Sequence, residues 1–233
     1  MQVIANARGR KAADSLLGWW LEAGVDGAVG ESPRDWLGRT KQQPAAASSP
    51  HVPTHKPADL AAFQAWLATA DGLPMDRPGA IRIAPQGVEG AAIMLMLDLP
   101  SREDAAEARP IGGEARALAE RMLAAIGIAP EDAYLASLSC FHAPGARFNG
   151  DLDACAAIAR DHIRLAKPKR LIMLGDAPSR ALLGEPLARA RGRVHRIEGV
   201  RAVATFHPRW LLQRPSDKAL AWRDLLLLMS ESE

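Results

Sequence analysis

The sequence predicts an α/β protein of three layers, in which helices cover both faces of a central, mostly parallel sheet. Its strand segments are continuous apolar runs, such as "AAIMLML" at residues 91–97 and "RLIMLG" at residues 170–175. Such runs are typical of parallel strands that are buried on both faces. Helical segments alternate with these strands along the chain, and this alternation indicates an α/β/α sandwich.

The predicted elements follow one another in a regular order. "PADLAAFQAWLATA" predicts a helix before the first strand, and "GEARALAERMLAAIG" predicts the helix after it. Together the predicted helices span residues 57–70, 113–127, 151–167, 177–184 and 217–229, and the predicted strands span residues 91–97, 133–139, 170–175, 193–198 and 200–206.

The beginning of the chain differs in composition from the rest. "KQQPAAASSPHVPTHKP" at residues 41–57 is rich in proline, alanine and serine and has no apolar period, which indicates a linker. Before it, "SLLGWWLEAG" has an apolar helical face. We therefore expect an N-terminal helical arm and linker over residues 1–57, followed by the α/β/α domain over residues 58–233.

The composition of the chain argues against membrane-spanning, secreted and disulfide-rich proteins. The chain has 233 residues, of which 48% are hydrophobic, enough for one sizeable core. No apolar run approaches the roughly 20 residues that cross a bilayer, and the N-terminus lacks a secretory signal pattern. Two cysteines are too few for a disulfide framework and fit a reducing compartment. We expect a cytoplasmic protein without a membrane partner, and we favour a monomer.

Positive charge is concentrated in one region of the chain. Residues 160–214 contain thirteen lysines and arginines against four acidic residues, whereas the net charge of the whole chain is only +2. A polyanion such as DNA is the partner that this distribution predicts. The alternative is that these side chains belong to solvated helix faces.

Sheets of this kind bind ligands beyond the carboxyl ends of their strands. Four predicted loops lie there, with the sequences "DLPSREDAAEARPIGG", "CFHAPGARFNG", "GDAPS" and "HPRWLLQRP". Asp98 opens the first loop and His207 opens the last. We expect Asp98, Ser137, His207 and Arg209 to converge on this edge of the sheet.

These segments together resemble the uracil-DNA glycosylase superfamily, in particular its bacterial iron–sulfur branch. The resemblance covers residues 59–229, and its most specific part is the last segment. There the branch has T-Y-H-P-S-x-L-L, followed by a helix with the pattern L-A-W-x-D-L. The matching residues are Thr205, His207, Pro208, Leu211, Leu212, Leu220, Ala221, Trp222, Asp224 and Leu225.

The resemblance implies a DNA glycosylase of base excision repair, which extrudes a nucleotide and hydrolyses its base–sugar bond. His207 would donate a hydrogen bond to the departing base, and Asp98 would orient water and offset positive charge on the sugar. The base pocket would be formed by Leu99, Pro100, Ile111 and Ser137. The DNA contacts would come from Arg109, Pro208, Arg209 and Arg214.

Several positions depart from the pattern of this branch. G-E-A-P-G is replaced by "LDLPS", so the carboxylate is the shorter Asp98 and both glycines are absent. Ile111 replaces the aromatic residue of R-P-F-V-G that would stack on the base, and the asparagine that would read the base edge falls on Ala136 or Ser137. These departures favour a second hypothesis, a glycosylase-like fold with weakened or lost catalysis that binds DNA or a partner protein.

The cysteines also depart from the branch, whose iron–sulfur cluster is held by four of them. "TADGLPM" at residues 69–75 stands where the first cysteine pair would be, and only Cys140 and Cys155 remain. We therefore expect no cofactor and no metal, with both cysteines acting as small buried core residues.

Structural roles stay open for the candidate catalytic residues. His207 could cap the turn before its proline, and Asp98 could be the N-cap or Asx-turn residue of its loop. Arg109 and Arg209 could be surface charges. The aromatic residues expected to pack in the core or at an interface are Trp66, Trp210 and Trp222.

Overall fold

The computed structural model describes residues 57–143, 145 and 152–230. The predicted N-terminal arm and nearly all of the linker lie outside the described residues, as does most of the "CFHAPGARFNG" loop. The strands are β1 (Ile81–Arg82), β2 (Ile93–Leu97), β3 (Ala133–Ser137), β4 (Phe141–His142), β5 (Arg170–Leu174), β6 (Val194–Ile197) and β7 (Val200–Thr205). The α-helices are α1 (Leu60–Thr69), α2 (Arg102–Ala106), α3 (Gly113–Ala125), α4 (Leu152–Ala166), α5 (Asp176–Leu183), α6 (Leu187–Ala190), α7 (Pro208–Gln213) and α8 (Lys218–Met229).

Five strands form the central sheet in the order β3-β2-β5-β7-β6. The first four are parallel, and β6 pairs antiparallel with β7 at one edge. A separate antiparallel pair joins β1 to β4. The predicted central, mostly parallel sheet is therefore confirmed.

Each face of the sheet is covered by its own helices. Because side chains alternate along a strand, Ile93, Leu95 and Leu97 of β2 pack on one side with α3 and α8. Met94 and Met96 pack on the other side with α1 and α4. All five side chains are buried, which explains why β2 has a continuous apolar sequence.

Three short helices, α2, α6 and α7, were not predicted from the sequence. Each has four to six residues, too few to show a helical period, and two of them depend on side-chain caps at Ser101 and His207. Both of these capped helices begin at the carboxyl edge of the sheet. They therefore fix the loops that carry Asp98 and His207.

Within the described part of the chain, no helix has the length and apolar character needed to span a membrane.

Candidate active site

A cavity of about 710 Å³ opens at the carboxyl edge of the sheet. It is bounded by the residues that follow three neighbouring parallel strands, which are Asp98 after β2, Gly175 after β5 and His207 after β7. Of the four residues expected to converge here, Asp98, His207 and Arg209 line this cavity, whereas Ser137 does not.

Gly175 lies between the two candidate catalytic side chains. Its φ of +106° is a conformation that L residues rarely adopt. A Cβ atom at this position would lie 3.7 Å from His207 Cβ and 3.8 Å from Asp98 Oδ2. Both distances are ordinary van der Waals contacts, so the backbone conformation is what favours a glycine between the two loops.

His207 is the N-cap of α7, as its position before a proline suggested. Its Nδ1 accepts a hydrogen bond of 3.1 Å from the backbone N–H of Arg209. Burial and the positive charge of Arg209 lower the pKa of His207 to about 3, so the imidazole is neutral near pH 7. Because Nδ1 accepts, the single proton lies on Nε2. No described residue accepts a hydrogen bond from this buried Nε2.

The helix cap uses only one side of the His207 ring. Nδ1 accepts the capping hydrogen bond, whereas Nε2–H is buried and has no acceptor among the described residues. A neutral imidazole in this tautomer is a fixed hydrogen-bond donor, suited to a carbonyl oxygen that becomes negative during a reaction.

Asp98 directly follows β2, is half-buried and lines the cavity. Burial raises the pKa of its carboxyl to about 6; the charge of Arg209 opposes the shift, and that of Asp104 adds to it. Asp98 does not cap the next helix, because Ser101 is the N-cap of α2. Its carboxyl is left facing the cavity, with a pKa near that of a general base working close to neutrality.

An ion pair joins the first and last loops of the site. Arg209 Nη2 donates to the Oδ2 of Asp104, whose side chain is fully buried. Arg209 is therefore held within the protein, with 28% of its side chain exposed, and is not a free surface charge.

Phe206 and Trp210 form an aromatic wall of the cavity, and an arginine stands at each end of it. The Arg191 guanidinium lies 5.0 Å from the Phe206 ring centroid, and the Phe206 and Trp210 rings are stacked at 6.3 Å. The Arg214 guanidinium lies 4.6 Å from the Trp210 centroid. Trp210 is 40% exposed and lines the cavity, so it is not a core residue.

The model of the uracil DNA glycosylase superfamily matches residues 84–226, which is more than half of the chain. The chain belongs to the uracil-DNA glycosylase superfamily. It is 23% identical over 181 residues to a type-4 uracil-DNA glycosylase of Pyrobaculum aerophilum, covering 72% of this chain and 92% of the relative. It is also 25% identical over 141 residues to a type-4 uracil-DNA glycosylase of Archaeoglobus fulgidus, covering 55% of this chain and 71% of the relative.

This match confirms the resemblance drawn from the motifs and supports the expected function in base excision repair. It also covers every site element described so far, from β2 to α7. The superfamily assignment therefore applies to the same residues that the geometry brings together.

The four residues assigned to the base pocket do not line the cavity that Asp98 and His207 share. Ile111 has no exposed surface because it packs between the sheet and α3. Ser137 lines a different, small cavity beside Cys140 and Cys155, and its buried hydroxyl has no partner among the described residues. Pro100 is buried, with its carbonyl accepting from His142 Nδ1 at 2.8 Å, and Leu99 packs against the core.

The remaining arginines of the DNA-binding assignment are on the surface. Arg109 is exposed in the loop between α2 and α3, and Arg214 is exposed after α7. Pro208, by contrast, is buried as the first residue of α7. Of the three, only Arg214 contacts the aromatic wall.

The basic region is less uniform than its sequence suggests. Among the described residues, seven of its thirteen cations pair with carboxylates; they are Arg160, Arg164, Lys167, Arg180, Arg191, Arg193 and Arg209. Lys169 and Arg170 lie at the amino end of β5, the edge opposite the cavity. Near the cavity, Arg189 and Arg214 are exposed and have no carboxylate partner in the described part of the chain.

The residues around the two cysteines do not fit a four-thiolate cluster. The whole chain has only two cysteines. Burial raises the pKa of the Cys140 thiol to about 11, which disfavours the thiolate that a metal requires. Across the small cavity, Leu73 and Pro74 stand in the segment where the first cysteine pair would be. Apolar packing occupies this part of the protein.

Three residues of the site were not predicted as site residues from the sequence, namely Asp104, Gly175 and Trp210. Asp104 had a readable signal, because Ser101-x-x-Asp104 has the spacing of a capping box, and the box is present. Gly175 follows an apolar strand directly, a common position for a close backbone approach. Trp210 carried no signal that distinguishes a cavity wall from packing.

Proposed function

We propose that this protein is a monofunctional DNA glycosylase that hydrolyses the N-glycosidic bond of uracil, or of another damaged base, in base excision repair. The observation that carries this proposal is that His207 and Asp98 line one cavity on either side of Gly175, with the buried Nε2–H of a neutral His207 lacking a partner among the described residues. The superfamily match and the similarity to two type-4 uracil-DNA glycosylases support uracil and DNA as the substrate.

His207 would act on the leaving base. As the base–sugar bond breaks, negative charge develops on the base and its carbonyl oxygen. A fixed Nε2–H donor stabilises that charge more strongly than it stabilises the neutral ground state, and it does so without losing its proton. A cationic imidazole is not needed, which agrees with the low pKa of His207.

Asp98 would act on the sugar side of the same bond. Its carboxylate offsets the positive charge that develops on the sugar and accepts a proton from the water that attacks the anomeric carbon. With a pKa of about 6, the carboxyl is mostly ionised at pH 7 and retains more basicity than an ordinary aspartate. The bond to the base breaks, and the base leaves as an anion that later takes up a proton.

The aromatic wall and its flanking arginines would hold the DNA. Trp210 and Phe206 offer apolar ring surface beside the cavity, and Arg189 and Arg214 offer exposed charge for phosphates. The family acts on DNA, and a chain with only two cysteines suits the cytoplasmic setting in which such an enzyme would work.

A second function, DNA binding without efficient catalysis, is favoured by the positions of Ile111 and Ser137. In the resembled branch, an aromatic ring would stack on the base and a side-chain amide would recognise its edge. Here the first position holds Ile111, a core residue, and the second holds Ser137, which lies outside the main cavity. In the cavity lining, Phe206 and Trp210 supply the rings and Gln213 supplies the side-chain amide, so any stacking on a base or reading of its edge would depend on these other positions.

Purified full-length protein should be incubated with oligonucleotides that carry uracil, hypoxanthine or xanthine, in single-stranded and duplex form, and scored for alkali-labile sites. The glycosylase proposal expects cleavage at one of these bases, with Asp98→Asn abolishing it and His207→Ala slowing it by about 10²-fold or more. Tight binding without any cleavage would replace it with the second function.

A further inference from the structure

Asp104 is a fully buried carboxylate, and both of its oxygens accept hydrogen bonds. Its Oδ2 accepts from Ser101 N at 2.7 Å and closes the capping box of α2. Its Oδ1 accepts from Gly112 N at 2.6 Å, which ties the start of α3 to the same group. With no exposed surface, this carboxylate also needs a cationic partner, because burying an isolated charge is costly.

Arg209 supplies that cation from the other end of the sequence. Its Nη2 pairs with Asp104 Oδ2, so one contact connects the loop that begins at Asp98 with the loop that begins at His207. Ser101 and Asp104 also fix the backbone three residues after Asp98.

The backbone of Arg209 also contacts His207. Its N–H donates to Nδ1 of His207 and thereby sets the tautomer that places a proton on Nε2. The side chain of Arg209 is anchored by Asp104 while its backbone orients His207. The contacts therefore run in one chain from Asp104 through Arg209 to the imidazole.

The same ion pair also faces Asp98. Arg209 and Asp98 line one cavity, and the two members of the pair act on the Asp98 carboxyl in opposite directions. The other charged side chains of the cavity are neutralised by their own partners, since Arg191 pairs with Asp224 and Asp176 pairs with Arg180. The net field at Asp98 therefore depends on the balance between Asp104 and Arg209.

We propose that Asp104 and Arg209 form a positioning pair, which fixes the orientation of His207 and sets the charge balance around Asp98. The proposal rests on the proposed function for its catalytic meaning. Its physical content, the coupling of the pair to Asp98 and His207, does not depend on activity.

Two variants separate positioning from simple stabilisation. Arg209→Gln removes a charge that favours the Asp98 carboxylate, so the pKa of Asp98 should rise above about 6. Asp104→Asn removes a charge that disfavours it, so the pKa should fall. We expect shifts of about one unit in opposite directions, the size that a nearby charge commonly produces. A role in stability alone would move Asp98 in neither direction, although both variants would melt earlier.

The measurement is carboxyl ¹³C NMR titration of the full-length protein, with the Asp98 signal assigned by its loss in Asp98→Asn. Arg116→Gln is the matched control, because it removes the same charge from the Arg116–Glu120 pair on α3, outside the cavity. Arg209→Lys is the rescue variant, since it retains the charge and should return Asp98 close to its parent value. If Asp104→Asn does not fold, the comparison of Arg209→Gln with Arg209→Lys still decides the proposal.

Equal titration of Asp98 in the parent and in Arg209→Gln would overturn the positioning pair. In an active parent, the acid limb of the single-turnover rate profile should move with the NMR value. If the parent protein cleaves no substrate, the proposed function is wrong. Opposite shifts of the Asp98 pKa in the two variants would still support the positioning pair in that inactive protein.

Discussion

Asp98 Oδ2 and His207 Cβ both lie within 4 Å of the position that a Cβ atom would take on Gly175, although 109 positions separate the two residues in the sequence. Strand β5 lies between β2 and β7 in the sheet, so the residue after β5 stands between the two loops. Its φ of +106° is a conformation that L residues rarely adopt. The backbone conformation therefore favours glycine at this position.

Gly175→Ala should impair both folding and catalysis. The backbone conformation at this position is strained for an L residue, at a cost of about 1–3 kcal/mol. Relief of that strain would shift the backbone that contacts both Asp98 and His207, although the new methyl group itself would fit at ordinary contact distances. Thermal melting and single-turnover cleavage measure the two effects. Gly184→Ala is the matched control, because Gly184 also has a positive φ but open space around its Cβ position. Gly184→Ala should melt earlier and cleave at the parent rate, and equal losses of activity in both variants would contradict a specific role for Gly175.

His207→Ala should lower the single-turnover cleavage rate by about 10²-fold or more, with little change in DNA affinity, because the donor acts on charge that exists only in the transition state. The same variant should lose about 1 kcal/mol of stability with the cap of α7. His207→Asn separates the two effects, since asparagine caps helices well but cannot place a donor where Nε2 lies. We expect His207→Asn to melt near the parent temperature and to remain slow. Recovery of the parent rate by His207→Asn would show that only the cap matters.

Asp98→Asn should stabilise the protein at neutral pH while abolishing activity. The folded-state pKa of Asp98 is raised from 3.8 to about 6, so the unfolded chain ionises first, and ionisation disfavours the folded state. The parent therefore loses stability relative to Asp98→Asn as the pH rises from about 4 to about 6, by at most about 3 kcal/mol at pH 7. Below pH 4 both side chains are neutral, and the difference should disappear. Urea unfolding of the two proteins at pH 3.5, 5 and 7 tests this order, and a difference that does not vary with pH would contradict the buried, titrating Asp98.

Arg214→Gln should weaken binding to undamaged duplex DNA and reduce its salt dependence. If Arg214 contacts one phosphate, the slope of log K against log salt concentration should fall in magnitude by about 0.9. Lys169→Gln is the matched control, because it removes the same charge from an exposed side chain at the opposite edge of the sheet. Fluorescence anisotropy titrations between low and moderate salt measure both slopes. Equal effects of the two substitutions would indicate attraction by overall charge without a defined DNA surface near the cavity.

The long elements of the fold could be read from the sequence because their signals are local. The apolar run of β2 and the helical period of α3 each reflect burial of a whole segment. The capped helices α2 and α7 could not be read this way, since five or six residues show no period and their stability comes from single side chains such as Ser101 and His207. The pairing of β1 with β4 has no local signal either, because two-residue strands depend on a distant partner.

The candidate site likewise has some features that the sequence predicts and others that only the structure shows. The sequence by itself determined that Asp98 and His207 follow buried strands, that the last segment has the pattern of the superfamily, and that two cysteines cannot hold a four-thiolate cluster. Only the tertiary structure decided that Ile111 belongs to the core, that Arg209 is committed to Asp104, and that Trp210 lines the cavity. The physical reason is the sequence distance over which each property arises. Burial and periodicity are properties of one continuous segment. An ion pair across 105 positions, a shared cavity or a shifted pKa arises only when distant segments pack together and exclude water.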